Sequence, residues 1–219
     1  MVYGICGVDE AGRGPVIGPL VVAGVLVEDE SRLLAIGVRD SKKCTPQRRE
    51  RLAIEIKKVT ECAITVLKAE EIDSLRERAT INEIEAEIFA QVIERLKPEK
   101  AIVDAADTDE NWFRETIKHR IGAGIEVIAE HGADAHYPVV SAASIIAKVE
   151  RDRQIRRIRE EIGVDIGSGY PSDPTTIKFL RGWVEEHGSL PPHTRKSWKT
   201  VKRLLREMQA RTLDDFGGE

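Results

Sequence analysis

Apolar residues recur along the chain in two rhythms. Val2 to Val8 is a short apolar run that ends at Asp9-Glu10 and meets Gly12-Arg13-Gly14-Pro15, which no helix interior tolerates, so the pattern predicts a strand running into a tight turn. Leu20 to Val27 is a second β-branched run. Glu61 to Leu67 alternates Cys62, Ile64 and Val66 with polar neighbours, which predicts a meander of three strands, with a helix opened by Pro46 ahead of the third. Thr80 precedes Ile81, Ile84, Ile88, Val92 and Leu96 at helical spacing, Glu83 is placed for a capping box, and Lys97-Pro98 ends that helix. Ala101 to Val103 reads as a buried strand delivering Asp104, Trp112 to His119 as a helix and Glu126 to Ile128 as a further strand. The order is β-β-β-α-β-α-β, an α/β fold with a mixed sheet.

From Val139 to about Ile162 a long helix is expected, and its small residues Ser141-Ala142-Ala143-Ser144 allow close approach to other backbone. Gly163, Gly167, Gly169, Pro171 and Pro174 break it. Thr175 to His187 and Ser197 to Ala210 then form a helical extension. The boundaries expected are a main α/β domain over 1–163, the extension over 164–208 and a flexible tail over 209–219.

No apolar run is long enough to span a bilayer and no signal segment opens the chain. Cys6, Cys44 and Cys62 are odd in number and scattered, so neither a disulfide framework nor a zinc ribbon is expected. A cytoplasmic monomer without a membrane partner is the expectation. Charged residues make up 33% of the chain while Asn and Gln together number six, a balance that suits a hot environment.

The net charge of -4 argues against a polyanionic partner until its distribution is considered. Residues 39–58 carry Arg39, Lys42, Lys43, Arg48, Arg49, Arg51, Lys57 and Lys58, and residues 195–206 carry Arg195, Lys196, Lys199, Lys202, Arg203 and Arg206. Either segment alone suits a solvated helix face. Together they provide two basic surfaces for nucleic acid.

Carboxylates at the ends of strands carry more information, because ligands collect there in α/β sheets. Asp9, Glu10 and Asp104 meet that description, and Asp134 follows the strand near Ile128 closely enough to add a fourth. Singly, these are turn, cap and loop acids. Converging on one edge they would repel one another unless a hard divalent cation lay between them. Asp107 and Asp109 instead suit a loop and the N-cap of the helix beginning near Asn111. The run Gly12 to Gly18 has its third glycine one residue late for a dinucleotide loop and is followed by a strand, so a turn whose N–H groups and Arg13 face a polynucleotide suits it better. The five histidines show no metal-binding pairing, and there is no G-x-S-x-G elbow.

Several blocks together resemble type 2 ribonuclease H (RNase HII), in its archaeal branch. They are Asp9-Glu10-Ala11-Gly12-Arg13-Gly14-Pro15, Asp40-Ser41-Lys42-Lys43, Val103-Asp104, Ala133-Asp134, Ser141 through Lys148 to Arg151-Asp152, Gly167 through Tyr170 to Pro174, and Arg195 with Ser197-Trp198. The resemblance implies an RNase H-like mixed five-stranded sheet flanked by helices with a small C-terminal helical extension. It also implies an endonuclease that cuts the RNA strand of RNA–DNA hybrids and at ribonucleotides embedded in duplex DNA, with a place in DNA replication and repair. Asp9, Glu10, Asp104 and Asp134 would hold two Mg²⁺ or Mn²⁺ ions, and the products would be 3′-hydroxyl and 5′-phosphate ends. Gly12, Arg13, Gly14 and Tyr170 would recognise the ribose 2′-hydroxyl, and Lys42, Lys43 and Arg195 would contact the duplex. Cys44 stands where the family has Leu, Arg39 where it has Lys, and Gly132 where many members have a basic residue.

Near the C-terminus, Leu213 and Phe216 have the spacing of the peptide that docks proteins on the replication sliding clamp, although Gln209 is one residue too early. Two other classes compete: an ATP-binding enzyme of the actin–hexokinase kind, which nucleotide binding would reveal, and a non-catalytic nucleic-acid adaptor, which would bind without cutting.

Overall fold

The computed structural model describes residues 4–38 and 45–216, the side chains from 211 onward excepted. Lys42, Lys43 and the side chains of Leu213 and Phe216 lie outside the described residues.

Strands β1 (Ile5–Ala11), β2 (Leu20–Val27), β3 (Glu61–Leu67), β4 (Lys100–Asp104) and β5 (Glu126–Glu130) form one sheet in the order β3-β2-β1-β4-β5. β1 is antiparallel to β2, with Asp9 opposite Ala23, and parallel to β4, with Val8 opposite Val103. β4 and β5 are parallel, with Asp104 opposite Glu130. The mixed sheet is therefore as expected, and the C-terminal ends of β1, β4 and β5 point the same way. β2 and β3 keep their expected bounds, whereas β1 lies three residues later than the apolar run Val2 to Val8. Pairing with β2 extends β1 through its two acids, so Asp9 and Glu10 lie inside the strand, whereas the pairing with β4 ends at Val8.

The helices are α1 (Ser31–Ala35), α2 (Pro46–Val59), α3 (Ala69–Leu75), α4 (Ile81–Leu96), α5 (Glu110–Lys118), α6 (Ala133–His136), α7 (Pro138–Ile162), α8 (Pro174–His187) and α9 (Lys199–Phe216). Thr80 and Glu83 form the expected capping box on α4, and Lys97, at φ 50°, ends it. α7 has its expected length, and the close approach foreseen at its N-terminus is made to β1. A Cβ at Gly7 would lie 2.3 Å from the carbonyl carbon of Val139 and 2.4 Å from the nitrogen of Val140, so only glycine fits. Among the described residues no helix is long and apolar enough to cross a membrane.

The chain divides into two compact units. The first comprises Met1–Ala11, Val21–Val66 and Ala79–Asp152, and the second Gly12–Leu20, Leu67–Arg78 and Arg153–Glu219. The first has a core of Val21, Ala23 and Val25 with Val139, Val140, Ala143 and Ile146 of α7. The second has its own, around Val16, Ile17, Ile155, Leu180 and Val201. The second unit thus draws on the turn after β1 and on α3, beyond the extension that glycine and proline breaks mark out at residue 164. The backbone of α9 is helical through Phe216, past the position where a flexible tail was expected.

Candidate active site

Asp9 lies near the end of β1, Asp104 is the last residue of β4, and Asp134 is in the first turn of α6. One carboxylate oxygen from each lies within 4.8 Å of the others. Asp104 is fixed from the backbone: its Oδ1 accepts the N–H of Gly132 at 2.9 Å, and the N–H groups of Ala133 and Asp134 also reach its carboxylate. This is possible because Gly132 takes the left-handed conformation, φ 66° and ψ 27°, which turns the chain from β5 into α6. Asp134, expected in a loop, is consequently helical.

Glu10 is not a member of the three-acid cluster, although it borders it. Its N–H donates to Asp9 Oδ1 at 2.7 Å, and its charge bears on Asp9. Asp107 and Asp109 do what the sequence suggests: Asp109 caps α5 by accepting the N–H of Trp112 at 3.0 Å, and Asp107 accepts the N–H of Asp109 at 2.8 Å.

The electrostatics of the cluster are adverse to ionisation. Burial, followed by the charge of Glu10, pushes the Asp9 carboxyl well above the usual carboxylate range. Asp104 adds to the rise, while the Ser144 hydroxyl and the Lys148 ammonium oppose it. Burial also raises Asp104, and so does the charge of Asp134, against the pull of the three backbone N–H groups.

Ser144 and Lys148 were given no role by the sequence. Ser144 is fully buried, its hydroxyl donates to Asp9, and it accepts from Lys148 Nζ at 2.6 Å. Their four-residue spacing on α7 is the signal that could have paired them.

In the second unit, Gly12 has φ 89° and begins the turn expected after β1. Tyr170 is 37% exposed, and its ring edge is 3.6 Å from where a Cβ on Gly14 would be, so Gly14 and Tyr170 are neighbours. Arg195 is a correction. Expected from its basic segment to face a duplex, it is fully buried and donates to the carbonyl oxygens of Gly18, Arg13 and Gly12 at 2.9, 2.9 and 2.6 Å. Sequence registers its charge but not that three carbonyls converge to enclose it.

A family model described as Ribonuclease HII matches residues 6–201. The chain belongs to the ribonuclease HII family. The Ribonuclease HII of Methanoregula boonei is 48% identical over 212 residues, which are 97% of this chain and 99% of that one. The ribonuclease H2 of Pyrococcus horikoshii OT3 superposes with a TM-score of 0.88 at 42% identity, covering 94% of this chain and 99% of the other. The RNase HII in a PCNA:RNase HII complex from Archaeoglobus fulgidus superposes at 0.85 with 48% identity, over 91% of this chain and 96% of that one. The RNase H-like fold is thereby established, and the ribonuclease HII is a metal-dependent nuclease. Membership implies cleavage of the RNA strand of RNA–DNA hybrids.

Proposed function

We propose that this ribonuclease HII cuts at ribonucleotides embedded in duplex DNA as well as within continuous hybrids, using two divalent ions held by Asp9, Asp104 and Asp134 with Glu10. The observation that carries this is the gathering of three carboxylates within 4.8 Å, from the ends of β1 and β4 and the first turn of α6. The donor set fits the ions: it is all oxygen, as hard Mg²⁺ or Mn²⁺ requires, with no His or Cys to favour zinc. Burial and mutual repulsion, which raise Asp9 and Asp104, would be offset by the positive charge.

Bound divalent ions activate an attacking water and offset the charge on the leaving 3′ oxygen, giving 3′-hydroxyl and 5′-phosphate ends. The chain's own residues prepare the site. The N–H groups of Gly132, Ala133 and Asp134 aim the Asp104 carboxylate, and Ser144, backed by Lys148, orients that of Asp9. Gly12, Arg13 and Gly14 present backbone donors to the ribose, and the half-exposed Tyr170 ring packs on the sugar, so that the 2′-hydroxyl is read where RNA meets DNA. Lys42 and Lys43 contact duplex phosphates.

The enzyme acts as a cytoplasmic monomer, and Leu213 and Phe216 dock it on the sliding clamp. The complex of the Archaeoglobus fulgidus relative with PCNA supports such a partner. The test is an end-labelled DNA duplex with one ribonucleotide, incubated with and without Mg²⁺. A metal-dependent cut beside the ribonucleotide, leaving a 3′-hydroxyl, is expected. An intact duplex next to a digested continuous hybrid would refute the wider specificity.

A further inference from the structure

The turn after β1 is clipped from behind by three consecutive residues. The carbonyl of His193 accepts the N–H of Gly18 at 2.9 Å, Thr194 forms a β-bridge with Ile17, and the N–H of Arg195 donates to the carbonyl of Val16 at 2.8 Å. His193 takes φ 62° to make this clip, a conformation that non-glycine residues seldom adopt. The segment is anchored further along: Asp73 of α3 accepts the N–H groups of Lys196 and Ser197 at 2.7 and 2.9 Å and the Ser197 hydroxyl at 2.6 Å. The Arg195 guanidinium also lies 4.8 Å from the centre of the Trp198 ring. These contacts bring a buried cation against the carbonyls of Gly12, Arg13 and Gly18.

A trans peptide unit points its N–H away from its C=O. With the carbonyls of Gly12 and Arg13 held by Arg195, the N–H groups of Arg13 and Gly14 are turned away from the guanidinium, and Gly14 is exposed. Pro15 and Pro19 have no N–H, so the next peptide in the turn, and the one whose carbonyl Arg195 holds at Gly18, present no competing donor. A cation at the carbonyl end also polarises each peptide and strengthens the opposite N–H as a donor.

We propose that Arg195 is a positioning residue for substrate recognition, one that never touches nucleic acid and instead sets the two peptide planes offering the Arg13 and Gly14 amides to the ribose. This rests on the turn reading the ribose, as proposed above. The planar, forked guanidinium reaches three carbonyls together; the ammonium of lysine keeps the charge but not the fork.

The test is Arg195→Lys in the full chain, on a duplex with one ribonucleotide and on a continuous hybrid, with kcat and KM followed across a salt series. The single-ribonucleotide kcat should fall by about 10- to 100-fold, since a misplacement of about 1 Å can cost about 100-fold, with the continuous hybrid affected less. The slope of log KM against log salt should stay that of the parent enzyme. A phosphate-contacting arginine, whose charge lysine keeps, would instead leave kcat on both substrates at the parental value with at most a change in KM common to the two, and that result would overturn the inference.

Should Arg195→Lys lack a cooperative melt, Asp73→Asn, which weakens the anchor two residues on, is judged by the same pair of measurements. Gly14→Ala separates the two levels, since its Cβ makes only ordinary contact with Tyr170. If Gly14→Ala, whose methyl would stand beside the Tyr170 ring where the sugar is proposed to pack, keeps parental discrimination, the turn does not read the ribose and both proposals fall. If it loses discrimination while Arg195→Lys keeps it, the role of Arg195 alone is refuted.

Discussion

The N–H of Gly132 donates to Asp104 Oδ1 across 2.9 Å, tying the end of β4 to the start of α6 and so setting one metal-binding candidate from the backbone that leads into another. The bond needs the Gly132 amide and a left-handed backbone but no side chain. Nothing lies within 4 Å of a Cβ built there. Gly132→Ala should therefore cost about 1 kcal/mol, the backbone penalty alone, with hybrid cleavage within a few-fold of the parent. Gly132→Pro, which cannot reach φ 66° and has no N–H, should abolish cleavage. Melting curves and initial rates on both variants check this, and equal activities would show that the amide does not matter.

Asp9 makes the metal-free protein sensitive to alkali. An unfolded Asp titrates near about 3.9, whereas burial and Glu10 hold the folded group well above its usual value. Between these two values the unfolded chain has lost a proton that the folded one keeps, so stability falls as pH rises and levels off above the folded-state pKa. Asp173 acts oppositely and lower: held at about 2 by hydrogen bonds from Ser168 and Thr175, it contributes stability that is lost progressively as pH falls from its unfolded value, about 3.9, through that folded value. Melting temperature in EDTA should thus decline from mildly acid pH upward, and Asp9→Asn should flatten the decline. A decline of undiminished slope in Asp9→Asn would assign it to other groups.

Gly7→Ala tests the packing that supports the site. The added methyl meets the backbone of Val139 and Val140, which cannot swing aside as a side chain could, so the variant should lose about 3 kcal/mol or more. A denaturant midpoint unchanged from the parent would mean that β1 and α7 separate easily.

Tyr170→Ala should reduce cleavage at a single ribonucleotide by about tenfold more than cleavage of a continuous hybrid, because a lone 2′-hydroxyl must be read at one place whereas a long hybrid offers many. The half-exposed ring makes a large loss of stability unexpected. Equal rate losses on the two substrates would make Tyr170 a packing residue.

Much of this was legible in the sequence where a single chemical preference decides the outcome. The β-branched run of β2 and the alternation in β3 gave their bounds, and Thr80 with Glu83 gave the start of α4. The three acids of the cluster were found because strand ends rarely need them. What escaped depends on tertiary context. The bounds of β1 are set by its pairing with β2, and short α1 and α3 carry too few residues for a period to emerge. Arg195 was misjudged because charge is visible in a sequence and burial is not. Ser144 looked like one small helix residue among four, and its role rests on the Asp9 carboxylate that β1 brings to it.

The most direct test of the acid cluster is the rate of hybrid cleavage by Asp104→Asn in saturating Mg²⁺, with melting of the metal-free protein as the control. Asparagine can still accept the Gly132 N–H through its carbonyl oxygen and removes a charge from a repelling group, so the metal-free melting temperature should stay level or rise. Since loss of groups that merely orient metal ligands costs about 10–100-fold, loss of a ligand itself should lower the rate by about 100-fold or more. A well-folded Asp104→Asn enzyme that cuts the RNA strand at the parental rate would contradict the assignment of this cluster as the metal centre.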